Sequence, residues 1–329
     1  MHGWIILDKP LGLGSTQGVS AVKRALRAGG YAKAKVGHGG TLDPLATGVL
    51  PIAVGEATKL AGRMLDASKE YVFTIRFGVQ TDTLDLEGKE IASSDVRPTM
   101  AALEAVLARF TGPIEQVPPA YSALKVGGER AYDLARAGEE LVLATRSVTV
   151  HSLCSSPARG RWRAEGVTEG EDTLTCAFPP PPSAFGSHLP LAGEEISEVT
   201  LAAHVSKGTY IRSLARDIAR ALGTVGHVTM LRRTRAGPFG LDTAISLDKL
   251  DEMANGRALE DIILPLRAGL DDIPALPLSP DQAGALRQGR VMVGIVVDDG
   301  QYFAMLDDVP VALVEVSGRE ARVVRGFNL

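Results

Sequence analysis

The stretch Gly37-His38-Gly39-Gly40-Thr41-Leu42-Asp43-Pro44-Leu45-Ala46-Thr47-Gly48 sets four glycines, one proline, one histidine and a single carboxylate within twelve residues. Glycine permits backbone angles and close approaches that a Cβ forbids. Pro44 restrains Asp43 from helical angles and favours extended backbone there. An aspartate on such a side-chain-poor loop faces a ligand with little bulk around it. Asp-Pro alone reads as a turn between two strands. The length and order of the whole string are more specific than a turn requires.

On the N-terminal side, Gly3 to Pro10 reads as a short strand, with Trp4 to Leu7 buried, running into a Lys-Pro turn. Ser15 or Thr16 is expected to cap a helix with apolar positions Val19, Val22 and Leu26, ended by Gly29-Gly30. On the C-terminal side, Val49 to Val54 predicts a strand and Glu56 to Leu65 a helix. Tyr71, Phe73, Ile75 and Phe77 alternate, which puts them on one sheet face; alternation alone makes Tyr71 another core aromatic. Thr81 to Gly88 is turn-rich and acidic, reads by itself as a solvated hairpin end, and lacks calcium-loop spacing. Met100 to Phe110 and Arg130 to Arg136 predict helices, and Arg146 to Leu153 a strand.

Residues 154–198 break the pattern. Four prolines, Pro179 to Pro182, exclude a central strand, and the segment is expected to be an extended surface insertion. Val199 to Val205 predicts a strand leading through Lys207-Gly208-Thr209-Tyr210-Ile211-Arg212 into a helix with Ile211, Leu214, Ile218 and Leu222 inward. Arg216 and Arg220 read as a solvent-facing stripe on that helix. Ile245 to Leu266 is expected to be a largely helical connection. Beyond it, Ser279-Pro280 marks a helix start, and Val291 to Val297, Tyr302 to Leu306, Val311 to Val316 and Ala321 to Arg325 predict short strands, with Asp298-Asp299-Gly300 as a hairpin turn.

Composition narrows the classes. Hydrophobic residues make up 45% and charged ones 22%, as in an ordinary globular protein. No apolar run spans a membrane and no leader is expected. Cys154 and Cys176 have neither pairing nor metal spacing, so reduced thiols and a cytoplasmic location are expected. The six histidines form no ligand pattern, and no metal site is expected. A net charge of -4 does not announce a nucleic-acid binder, but Lys23, Arg24, Arg27, Lys33 and Lys35 crowd the approach to the glycine loop, and Arg232, Arg233 and Arg235 cluster later.

The glycine stretch closely resembles the catalytic loop of the TruB family of tRNA pseudouridine synthases, G-H-x-G-x-L-D-P-x-A-x-G. Lys9-Pro10 matches the opening of that family's first motif, and Lys69-Glu70-Tyr71 its K-x-Y. The runs Thr81 to Gly88, Gln116 to Lys125 and Lys207 to Arg212 resemble T-D-T-x-D-x-x-G, Q-x-P-P-x-Y-S-A-x-K and K-G-T-Y-I-R. The resemblance covers roughly residues 3–153 and 199–245, with motifs in the family's order. It implies an α+β fold: a mixed, largely antiparallel sheet with flanking helices over 1–265, and a small β-barrel-like, PUA-type RNA-binding domain over 266–329. It also implies catalytic roles for Asp43 as nucleophile, Tyr71 as the active-site aromatic and Arg212 as the guanidinium that pairs with Asp43. RNA contacts are implied at Lys9, His38, Gly40, Thr41, Asp85, Lys207 and Tyr210, with His38 either propping the RNA or serving structurally. The expected partner is the T-arm of tRNA, at uridine 55, bound by a monomer without guide RNA, membrane or cofactor. Two other readings stay open: an RNA-binding or tRNA-folding protein without turnover, and a guide-RNA-dependent relative.

Overall fold

The computed structural model describes residues 1–122, 124–139, 141, 143–155 and 194–329. The insertion expected over 154–198 lies almost wholly outside the described residues, as does Ala123 of the Gln116 to Lys125 motif. The chain forms two compact units, Met1–Ala67 joined by Arg235–Leu329, and Ser68–Thr234.

The first unit opens with β1 (Gly3–Lys9), whose apolar run Trp4 to Leu7 is at most 1% exposed. It continues through α1 (Ser15–Ala28), β2 (Val36–His38) and β3 (Ala46–Val54). β3 pairs antiparallel with β1 along its length, which sets Lys9 opposite Gly48. It also pairs with β2, His38 lying opposite Ile52, so the glycine stretch is the connection between two paired strands. Val19, Val22 and Leu26 of α1 are buried as the spacing predicts, but the cap is Gly14, whose N–H donates to the Gln17 side chain at 2.7 Å. Ser15 does not cap because its hydroxyl bonds to a distant backbone segment. The expected helix from Glu56 to Leu65 is split into a 3-10 turn, Gly55–Lys59, and α2 (Ala61–Asp66).

The second unit contains β4 (Lys69–Phe77), the hairpin β5 and β6 (Val79–Thr81, Glu90–Ser93), α3 (Met100–Leu107), β7 (Gly112–Gln116), the hairpin β8 and β9 (Lys125–Val126, Glu129–Arg130), α4 (Ala131–Arg136), β10 (Arg146–Ser155), β11 (Glu198–Val205), α5 (Ile211–Ala221) and β12 (Gly226–Ala236). Its sheet runs β12-β4-β11-β10-β7. Tyr71, Phe73, Ile75 and Phe77 are buried as expected, but Val72 and Thr74 of the opposite face are buried too. A central strand has no solvent face. β12 is not evident in the sequence, where its arginines resemble a surface cluster; Arg233 is 1% exposed. Cys154 is disulfide-bonded, where reduced thiols were expected; Cys176 lies outside the described residues.

Residues 235–329 return to the first unit through β13 (Phe239–Gly240), which folds back on Arg235 and Ala236. α6 (Leu247–Asn255) is shorter than the helical connection expected, since the chain leaves it at Gly256 and then pairs Leu264 with Trp4. Leu250 and Ala254 of α6 join Ile5, Leu7, Val22 and Leu26 in one core. Then follow β14 (Ala275–Pro277), α7 (Pro280–Arg287), β15 (Met292–Val293), β16 (Gly300–Leu306), β17 (Val309–Ser317) and β18 (Glu320–Gly326). Ser279 caps α7 with Pro280 in its first turn, as the sequence indicates. The sheet order is β14-β16-β17-β18-β15. Asp298-Asp299-Gly300 therefore closes no hairpin; β15 pairs with β18 instead of β16. This curled sheet has its own core around Leu286, Ala304, Val314 and Ala321, while Phe303, Met305, Leu313 and Phe327 pack with Trp4 and Phe239.

The architecture is the α+β arrangement expected, a largely antiparallel sheet with flanking helices and a small curled C-terminal sheet. Among the described residues no helix is long and apolar enough to cross a membrane.

Candidate active site

Asp43 occupies the first position of a β-turn, its carbonyl accepting the Ala46 N–H at 3.0 Å, with Pro44 next in the turn. Pro44 presets the backbone angle for that position. Both neighbours of Asp43 are pinned to the same short segment. The buried hydroxyl of Ser15 donates to Leu42 O and accepts the Leu42 N–H, each at 2.8 Å. Pro44 O accepts the Gly12 N–H at 2.9 Å and the Lys9 ammonium at 3.2 Å. Lys9 Nζ also donates to Leu13 O at 2.6 Å and Pro10 O at 3.0 Å. An ammonium has three donors and no acceptor, so this fully buried lysine meets three carbonyls. Its geometry is that of a brace holding the loop. Two glycines make the path possible: Gly40 has φ +130°, and a Cβ on Gly39 would stand 2.6 Å from Met64 Cβ.

In the second unit Arg212 is the second residue of α5, with its side chain 7% exposed. Nη1 donates to Thr83 O at 2.7 Å, Nη2 donates to Tyr121 O at 2.9 Å, and Nη1 lies 3.2 Å from Asp85 Oδ2. A buried guanidinium costs several kcal/mol in desolvation unless paired and hydrogen-bonded, and Asp85 supplies the opposite charge. Asp85 is itself held, accepting the Thr83 hydroxyl at 2.5 Å and the Glu87 N–H at 3.0 Å. The acidic loop is thus no solvated hairpin end. It is a folded socket in which Asp85 faces Arg212. A Cβ on Gly88 would come within 2.3 Å of Asp82 Oδ1, which explains the glycine that ends the motif.

The start of α5 is stitched to the Gln116 segment. The buried Gln116 amide accepts the Tyr210 N–H at 2.8 Å and donates to Tyr210 O at 3.1 Å. Val117 O accepts the Ser213 hydroxyl at 2.9 Å and an Arg216 N–H at 3.0 Å. Arg216 also pairs with Asp217 at 2.8 Å, so it is not the solvent-facing residue its spacing suggested; Arg220 is exposed as expected. The Arg146 guanidinium lies 5.4 Å from the Tyr210 ring centroid, within range of a cation–π contact.

The remaining residues distribute as follows. Tyr71 is on β4 opposite Ala203 of β11 and 9% exposed. Lys207 and Thr41 are exposed, Tyr210 and His38 half-buried, and Gly40 buried. Asp43, His38 and Lys9 belong to the first unit; Tyr71, Asp85, Lys207, Tyr210 and Arg212 belong to the second. The roles of Ser15 and Gln116 are not evident in the sequence. Ser15 reads as an ordinary cap, and nothing local marks a hydroxyl destined for a residue 27 positions away. Among the described residues no group of His, Cys, Asp and Glu is placed to hold a metal ion.

The first unit thus fixes one aspartate in a glycine loop, and the second seats one arginine in its own socket. The family model described as TruB family pseudouridylate synthase (N terminal domain) matches residues 25–165, and that described as tRNA pseudouridylate synthase B C-terminal domain matches residues 212–271. The chain belongs to the TruB family. It is 61% identical to tRNA pseudouridine synthase B of Novosphingobium aromaticivorans, covering 100% of this chain and 98% of that one. The protein of the same name from Zymomonas mobilis subsp. mobilis is 54% identical, over 100% of this chain and 96% of the relative. Among solved structures, the archaeal box H/ACA sRNP Nop10-Cbf5 complex aligns with TM-score 0.64 at 23% identity, over 99% of this chain and 86% of that one, a likeness of fold alone.

Proposed function

We propose that the chain converts uridine 55 in the T-loop of tRNA to pseudouridine, with Asp43 as nucleophile. It acts as a monomer in the cytoplasm, without guide RNA or cofactor. Relatives named tRNA pseudouridine synthase B, matched end to end at up to 61% identity, support tRNA as substrate. The solved neighbour from a ribonucleoprotein, at 23% identity, is far more distant, which favours the stand-alone reading. The observation that carries the nucleophile is the double anchoring of its loop, Leu42 by Ser15 and Pro44 by Lys9 and Gly12. One carboxylate is held still between two fixed neighbours.

In the reaction the N1–C1′ bond of uridine breaks, a C5–C1′ bond forms, the C5 proton leaves and N1 takes up a proton. No electrons are gained or lost, so the isomerisation asks nothing of a redox cofactor. The uridine first leaves its stack, at a cost of a few kcal/mol. Stacking on Tyr71 returns about 1–3 kcal/mol of this, and its phenol relays the C5 proton. Asp43 adds covalently to the base or the ribose, with Tyr71 and Arg212 as the other catalytic residues, while Asp85 holds Arg212 and Lys9 holds the Asp43 loop. His38, Gly40, Thr41, Lys207 and Tyr210 touch the RNA, and residues 266–329 serve as an additional RNA-binding module.

Release of tritium from C5-labelled uridine in tRNA tests the reading. The purified chain alone is expected to release one equivalent per tRNA, and none from tRNA carrying cytidine at position 55. No release from wild type would leave an RNA-binding protein, and release only with added guide RNA would leave the guide-dependent reading.

A further inference from the structure

α1 begins at the proposed catalytic loop, through Ser15 and its two bonds to Leu42, and runs on for 14 residues. Its inward face is apolar, and its outward face carries Lys23, Arg24 and Arg27, all exposed. Spacings of three and four residues put Arg24 and Lys23 beside Arg27 on one side of the helix. Exposed Lys33 and Lys35 follow in the connection to β2. None of these five side chains has a hydrogen bond or a carboxylate oxygen within 4.0 Å among the described residues.

Five uncompensated cations along one short segment are unusual on a chain with a net charge of -4. A last-turn cation complements the helix dipole, which accounts for Arg27 alone. Two other cations of the first unit, by contrast, have carboxylate partners: Lys59 has Glu56 at 2.6 Å and Arg63 has Asp272 at 2.9 Å. At 1.5 Å per residue, Lys23 to Arg27 lie about 12–18 Å along the axis from Ser15. That is too far to meet the target nucleotide itself.

We propose that this face of α1, with Lys33 and Lys35, is a track for RNA phosphates outside the target loop, contributing affinity and orientation without reading bases. The proposal rests on the tRNA reading above. The triple variant Lys23→Gln, Arg24→Gln, Arg27→Gln, in the full chain, tests it through its Kd for unmodified tRNA measured across salt concentrations. Each phosphate no longer neutralised lowers the slope of log K against log salt by about 0.7–0.9, so three such phosphates lower it by about 2–3 and weaken binding about 10–100-fold near 0.15 M salt. A variant with the wild-type thermal midpoint, slope and Kd would overturn the proposal. Lys23→Arg with Arg24→Lys and Arg27→Lys, which keeps the charge, is expected to bind as wild type, and weakened binding there would also overturn a purely electrostatic track. Tritium release by wild type, run in parallel, separates a failure of this surface from a failure of the functional reading.

Discussion

The ammonium of Lys9 stands 3.2 Å from the carbonyl oxygen of Pro44, the residue after the proposed nucleophile. With Ser15 holding the residue before it, the chain grips Asp43 from both sides while leaving its side chain part-exposed. Rigidity of this kind matters because reacting groups misplaced by about 1 Å lose on the order of 100-fold in rate.

Asp43→Asn keeps the size of the side chain but removes the carboxylate nucleophile. Tritium release is expected to vanish while Kd for tRNA changes less than a few-fold. Undiminished release would assign the nucleophile elsewhere.

Lys9→Met keeps most of the buried stem and leaves three carbonyls without their charged donor. Pro44 O keeps the Gly12 N–H, while the part-buried carbonyls of Pro10 and Leu13 lose this donor; a fully buried unsatisfied group costs about 1–3 kcal/mol, and these cost less. We expect a stability loss of a few kcal/mol by urea titration and a kcat reduced more than KM. An unchanged kcat would mean the loop needs no brace.

Asp85→Asn strips the carboxylate charge from beside Arg212, and removing one partner of a buried pair costs about 3–5 kcal/mol. Some of that is recovered because Thr83 O and Tyr121 O still accept from the guanidinium. A large fall in kcat with little change in tRNA affinity is expected. An effect confined to tRNA affinity would instead point to a direct RNA contact at Asp85.

Gln116→Met removes both bonds to the Tyr210 backbone at the entrance to α5. Destabilisation of about 1–3 kcal/mol is expected, with kcat lowered because Arg212 lies two residues on. Full activity in the folded variant would show that the Arg212 socket holds α5 by itself.

Glu56 gives a pH test. Burial pushes its carboxyl upward, but the Lys59 ammonium, the Asn328 N–H and the charge on His2 together hold it below the ordinary range. A folded value below the unfolded one means the contribution is complete above the unfolded value, about 4.3, and fades as pH falls through the folded value. Glu56→Gln is therefore expected to lower the thermal midpoint at pH 7, by the equivalent of about 1 kcal/mol or less, and the gap to wild type is expected to close below pH 4. A gap independent of pH would rule out the ionic origin.

Much of the fold is legible in the residues alone. The alternation of Tyr71, Phe73, Ile75 and Phe77 and the spacing of Val19, Val22 and Leu26 place β4 and α1 because periodicity records which face is buried. The string around Asp43 and the run ending at Arg212 mark their loops because few residue types fit such backbones. Periodicity is weaker where both faces are buried and charge intrudes, and this hides β12, with Arg233 inside it. It says nothing of which distant backbone groups meet. That Lys9 braces a loop 35 residues away, that Ser15 forgoes its cap for Leu42, and that Asp85 and Tyr121 seat Arg212 were all decided by tertiary structure. The physical reason is the same in each case: a buried polar group takes the partner that packing brings within about 3 Å, and packing is a property of the whole chain.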